Sequence, residues 1–268
     1  MRYSVLNPQE NLRIRPLEIL RLLRSKSNLI GLSFETLDNS EIFANMLEVL
    51  SKYNVRLVSC SFSSVSGKRV INGVLACEIS RSRVNASELI REIKSIKGVL
   101  GISYETTKSD IIFDLSHFPL LVSGTRAVIF LKRFYKTLLV DMRKELSSAG
   151  KFFVFKVGEL LGSEIYRMAQ ENGCKSKEEF LGFLQRFFKS IGLGILIYLN
   201  VENGFVKSVR VNDSFECELV RSNKPYGQFV RGILMGALSR IYRRKVEVKE
   251  IKCKAKGDSY CEFEIIWE

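Results

Sequence analysis

The sequence is poor in residues that many enzymes and secreted folds rely on. It has one histidine, His117, in 268 residues. A Ser-His-Asp triad would have to use that side chain, and a histidine-rich metal site is excluded. Only four prolines are present, which argues against a long proline-rich linker. The longest stretch free of Asp, Glu, Lys and Arg runs from Ser190 to Val201, twelve residues against the ~20 a bilayer requires. Arg2 is not followed by an apolar core and a small-residue cleavage site, so no secretory signal is read. The expectation is a cytoplasmic protein without a membrane span. Its six cysteines, Cys60, Cys77, Cys174, Cys217, Cys253 and Cys261, are sparse for the length and are expected to be reduced there.

Positive charge is abundant. Forty-two Lys and Arg face 29 Asp and Glu, a net charge of +13. With 46% hydrophobic and 26% charged residues the chain reads as globular, in one or two domains. The charge is unevenly spread: +4 over residues 1–27, +1 over 28–107 and +8 over 108–268. Such a balance fits nucleic acid, an anionic membrane surface or a plain soluble basic protein. One basic run is Arg240, Arg243, Arg244 and Lys245. In another, strand alternation predicts Lys252, Lys254 and Lys256 on one face, either phosphate-facing or solvated.

Residues 1–27 form a basic lead-in. Pro16 suits a first helical turn, and Leu17 and Leu20 begin an apolar stripe beside Arg21 and Arg24. Such a helix contacts nucleic acid or membrane, or docks on its own domain or a dimer partner. Residues 28–107 read as strand, helix, strand, strand, helix, strand. This is the βαββαβ order of a ferredoxin-like unit, with Gly98 closing the second helix. The stretch resembles the ACT domain family of small ligand-sensing modules. Its first loop, Thr36-Leu37-Asp38-Asn39-Ser40, keeps an Asp but lacks the Pro-Gly of amino-acid-binding members. An amino-acid sensor and a ligand-free dimerisation module both remain open.

Residues 108–268 follow an α+β pattern, with helices leading and strands closing. Helical periodicity covers parts of 126–146 and 152–172, the latter ending at Gly173. Ser176 and Glu179 make a capping box for a third helix. Asn203-Gly204 marks a hairpin between strands 195–201 and 205–211. A further strand is predicted over 215–220, a helix over 226–244, and a last hairpin from 246–253 and 260–267. Gly158/Gly162 and Gly232/Gly236 each fall on one helical face, for close helix approach or for ligand room. Phe130, Phe134, Phe152, Phe153, Phe155, Phe180, Phe183, Phe187 and Phe188 either line an apolar pocket or form core. His117, beside Phe118 and Pro119, reads as a loop or strand-edge residue.

The last hairpin carries the chemistry. Its turn at Gly257-Asp258 folds Cys261 back beside Cys253, near Glu250. One carboxylate and two thiolates converging there are plausible zinc ligands. Otherwise the cysteines are a buried free pair, or a pair able to form a disulfide. The tail Glu250, Cys253, Gly257, Asp258, Tyr260, Cys261, Phe263, preceded by glycine-bearing helices, resembles the 4-vinyl reductase (4VR) domain family. That family includes predicted hydrocarbon-binding proteins and is related to the TRAPP vesicle-tethering subunits. The resemblance implies a homodimer binding a small apolar or aromatic ligand. In sensor members it implies zinc held by the Glu and two Cys of this tail, with a further Cys just ahead of the glycine helix. Here that place falls at Gly227, which has no thiol, and Cys217 is the substitute. The expected function is a non-catalytic small-molecule sensor in a regulatory protein. The alternative is a nucleic-acid-associated transcription regulator using the basic surfaces. An enzyme is disfavoured by the single histidine and the lack of a catalytic constellation.

Overall fold

The computed structural model describes residues 20–22, 28–64, 67–107, 111–113, 120–122 and 125–268. His117 and most of the lead-in lie outside the described residues. The chain divides after Val128 into two compact units.

In the first unit, β1 (Leu20–Leu22) pairs with β6 (Ile111–Phe113). Helical spacing predicts a helix through residues 20–22, and the pairing to β6 makes them a strand instead. Between these lie β2 (Leu29–Leu37), α1 (Ser40–Lys52), β3 (Arg56–Ser64), β4 (Val70–Glu78), α2 (Ala86–Ser95) and β5 (Val99–Thr107). The antiparallel sheet has the order β3-β4-β2-β5. Strand alternation turns Ile30, Leu32 and Phe34 into one core with Ile42 and Met46 of α1 and Leu89 and Ile93 of α2. Asn39 and Asn85 cap the two helices through their side chains. A small ribbon, β7 (Leu121–Val122) with β8 (Thr125–Arg126), ends the unit.

The second unit opens with an irregular helical segment. It comprises α3 (Lys132–Lys136), a π turn (Thr137–Asp141) and α4 (Met142–Glu145). Next come α5 (Ser147–Glu171), α6 (Lys177–Ser190), β9 (Ile195–Glu202), β10 (Phe205–Asn212) and α7 (Phe215–Glu218). The unit closes with α8 (Gln228–Tyr242), β11 (Val246–Lys252) and β12 (Cys261–Trp267). The antiparallel sheet has the order β11-β12-β10-β9. Ser176 and Glu179 form the expected capping box. The strand expected over 215–220 is instead the short helix α7.

The paired glycines bring α5 and α8 into backbone contact. A Cβ at Gly158 would overlap the Phe229 carbonyl oxygen, and one at Gly162 the Ile233 carbonyl oxygen. Gly232 and Gly236 meet the carbonyl oxygens of Phe155 and Glu159 in the same way. The spacing therefore serves helix packing and leaves no ligand room between these helices. The phenylalanines sort clearly. Phe180 and Phe188 are core, whereas Phe130, Phe134, Phe152 and Phe153 are exposed, Phe152 by 67%.

Candidate metal centre

Simple alternation places the first donor. Along β11, Val246, Val248 and Glu250 point inward while Glu247, Lys249 and Ile251 point out. Glu250 is thus buried because the strand period puts a carboxylate where an apolar side chain would stand. A register shift between Glu250 and Lys252 ends the regular pairing with β12. The chain then turns through a 3-10 turn, Lys254–Lys256, and Gly257 at φ +114°. Asp258 holds the turn: its carboxylate accepts the Cys253 N–H at 2.8 Å, while the Cys253 carbonyl accepts the Lys256 and Asp258 N–H groups. Cys261 opens β12 facing inward, and its sulfur accepts the Lys254 N–H at 3.4 Å.

The fourth donor comes from α7. Cys217 Sγ lies 3.6 Å from Cys253 Sγ. The donor atoms of Cys217, Glu250, Cys253 and Cys261 all lie within 4.8 Å of one another, and all four residues are buried. The tail carboxylate and its two thiols thus meet Cys217, as expected for the substitute. The cysteines are free, not disulfide-bonded. Around them, the Tyr226 N–H points at Cys253 Sγ at 3.3 Å, and the Gly227 N–H donates to Glu250 Oε2 at 2.8 Å. Glu250 Oε1 is buried with no hydrogen-bond partner among the described residues.

The electrostatics favour a thiolate. Hydrogen bonds from Cys217 and Cys261 hold Cys253 below the ordinary thiol range, against the opposing effect of burial. Cys217 is pushed up because its bonds to Cys253 and Cys261 retain its proton. Burial, then the neighbouring Cys253, pushes the Glu250 carboxyl up to about 9. Three sulfurs and a carboxylate oxygen are the donor chemistry of a borderline-soft divalent ion such as zinc. The orphaned Oε1 is the atom such an ion would satisfy. A metal must displace the Glu250 proton, so its affinity rises as pH climbs toward about 9, by roughly tenfold per unit for each proton released. Chelator-competition titrations at pH 6 and pH 8 test this, and equal affinities would refute it.

Two residues that carry no signal in the sequence frame the centre. Glu216, 1% exposed, accepts the N–H groups of Phe229 and Val230 at 3.0 Å each, at the start of α8. Burial pushes its carboxyl up to about 7, partly offset by those N–H groups and Arg143. Arg143, 5% exposed, donates to the Tyr226 carbonyl at 2.9 Å, lies 3.6 Å over the Tyr226 ring and pairs with Glu216 at 3.5 Å.

The basic stripe of the last hairpin does not form. Lys254 and Lys256 leave the strand for the 3-10 turn. Lys252 pairs with Glu262, Lys254 with Asp213 and Glu218, and Lys256 with Asp258. Beside α5 runs an open groove of about 720 Å³, lined in part by Val157, Leu160, Leu161, Tyr166 and Arg240. No helix among the described residues is long and apolar enough to cross a membrane.

Sheet, glycine-packed helices and buried tail together define a vinyl-4-reductase (4VR) domain, whose family model matches residues 208–266. The chain belongs to the same family as an uncharacterized protein of Methanocaldococcus jannaschii, MJ0745. The two are 30% identical over 143 residues, covering 52% of this chain and 77% of that protein. Among solved structures, the chain is similar to the phenol-responsive sensory domain of the transcription activator PoxR, with a TM-score of 0.50 and 14% identity. That match covers 57% of this chain and 83% of the domain, and it shows a shared fold. A vinyl-4-reductase family protein of M. jannaschii aligns with a TM-score of 0.37 and 20% identity over 53% of this chain and 83% of its own.

Proposed function

We propose that this chain is a non-catalytic regulatory protein whose 4VR domain, braced by a zinc-type ion, senses a small apolar molecule. The observation that carries the metal is the buried donor set Cys217, Glu250, Cys253 and Cys261 with the orphaned Glu250 oxygen. Four protein donors make a closed site of the structural kind, whose role is to tie α7, β11 and β12 together. The ligand class draws its support from the family match and from the phenol response of the domain that shares this fold. We read the first unit as an ACT-like, ferredoxin-like module, on the βαββαβ order and the β3-β4-β2-β5 sheet. Homodimerisation would cover the exposed Phe134, Leu138, Phe152, Phe153 and Leu160.

Native mass spectrometry of the freshly purified full chain tests this reading. The expected species is a dimer carrying one zinc per chain, with Glu250→Gln and Cys217→Ser each losing most of the metal. A chain that is metal-free and takes up neither zinc nor cadmium would overturn the metal assignment, and a monomer would overturn the dimer.

A further inference from the structure

We infer that Arg143 is a positioning residue: it orients Glu250 toward the metal through the Tyr226–Gly227 peptide, coupling the helical segment 129–146 to the centre. The inference rests on the metal reading above.

The geometry is a chain of two hydrogen bonds through one peptide unit. Arg143 Nη1 donates to the Tyr226 carbonyl at 2.9 Å. The N–H on the other side of that same peptide bond, from Gly227, donates to Glu250 Oε2 at 2.8 Å. A guanidinium on the carbonyl polarises the amide and strengthens its N–H as a donor, since hydrogen bonds in series reinforce one another. Glu250 is then held by one oxygen, and the other, Oε1, is left without a partner beside the three sulfurs. Orientation of a ligand by an outer partner is the usual way a protein tunes a metal site.

Arg143 is itself fixed on three sides. Its guanidinium lies on the Tyr226 ring, bonds the Tyr226 carbonyl and faces the fully buried Glu216. Glu216 precedes the donor Cys217 and binds the first N–H groups of α8. The same set of contacts therefore reaches Cys217 on one side and Glu250 on the other.

The segment that carries Arg143 is otherwise weakly anchored. Of residues 129–146 only Leu139, Val140 and Arg143 are buried, and its helices have no side-chain caps. Its outer side presents Phe134, Leu138 and Met142 to solvent. Any apolar contact made by that side bears directly on the residue that orients Glu250. Coupling of this kind is reciprocal: metal binding must also steady the segment.

The experiment uses the full chain, with zinc or cadmium affinity measured by chelator competition and amide hydrogen exchange followed with and without metal. The expected result is that Arg143→Met weakens metal binding by roughly 10–100-fold, the range for loss of an outer partner. Arg143→Lys should recover part of the loss, and the exposed neighbour variant Lys144→Met should bind as wild type does. Metal should slow exchange across 129–146 in the wild type but not in Arg143→Met, while both proteins gain protection at 246–267. If Arg143→Met folds poorly, Arg143→Lys carries the test, with a several-fold weakening expected. Unchanged affinity in the Arg143 variants, or metal-insensitive exchange over 129–146 in the wild type, would overturn the coupling. A wild-type chain that binds no metal would instead refute the reading beneath it.

Discussion

A Gly236→Ala chain is expected to melt roughly 10 °C below the wild type, although alanine is the better helix former. The added methyl lands on the backbone carbonyl of Glu159, not on a side chain that can swing away. Helix propensity offers about 1 kcal/mol in favour of alanine. Overpacking a close interface costs ~1–3 kcal/mol and sometimes more, and a backbone neighbour sets the cost at the upper end. Each kcal/mol moves the melting point of a unit this size by roughly 2–4 °C or somewhat more. Gly162→Ala should behave alike, because its methyl meets the carbonyl of Ile233. Gly182, inside α6, is the control. A Cβ there meets only the tip of the Arg186 side chain at 3.1 Å, so Gly182→Ala should hold or raise the melting point. Thermal melts of the three variants decide the matter, and a Gly236→Ala protein melting within a degree of wild type would refute the close-packed interface.

Removal of the metal is expected to be comparably damaging. An ion that binds only the folded chain stabilises it by about 4 kcal/mol when present at a thousand times its dissociation constant. A tight chelator should therefore lower the melting point of the 4VR unit by about 10 °C or more. Cys253→Ser should do the same without chelator. Cys253 is the hub of the cluster: its sulfur faces Cys217 at 3.6 Å and accepts the Tyr226 N–H, while its backbone closes the turn through Asp258. The serine variant keeps the backbone contacts but lacks the soft donor, which isolates the metal's share. Scanning calorimetry with and without chelator provides the measurement. Identical melts from a protein shown to carry metal would mean that the ion does not brace the fold.

Much of the architecture is legible in the sequence because local signals and tertiary contacts agree. Asn203-Gly204 makes its hairpin with both residues at positive φ, and Ser176 with Glu179 starts α6 as a capping box should. Three metal donors can be read from the tail, since a single turn brings them together. Cys217 is harder, being 33 residues before Glu250 on an element whose pattern points to a strand. In Phe215-Glu216-Cys217-Glu218 the alternation of apolar and charged residues imitates a strand. What decides otherwise is the need of Glu216 to reach the N–H groups that open α8. Glu216 and Arg143 are silent in the sequence because a charged side chain carries no local sign of burial, and the two lie 73 residues apart. The lysine stripe fails for a similar reason. Alternation assumes that β11 continues, but it ends at Lys252 and the next lysines enter a turn lined with carboxylates.

Gly227 limits the paths by which such a centre changes. A Cβ there would stand 2.9 Å from Glu250 Oε1, 3.1 Å from Cδ and 3.2 Å from Oε2. A cysteine at 227 and the present pose of Glu250 therefore exclude each other. Moving the fourth sulfur from 217 to 227 takes two substitutions, and either order crosses a poor intermediate. One has three donors; the other crowds a fifth against the carboxylate. Gly227→Cys in this background displaces a ligand instead of supplying one. Positions 217 and 227 can change only together, which makes the source of the fourth donor a lasting mark of lineage.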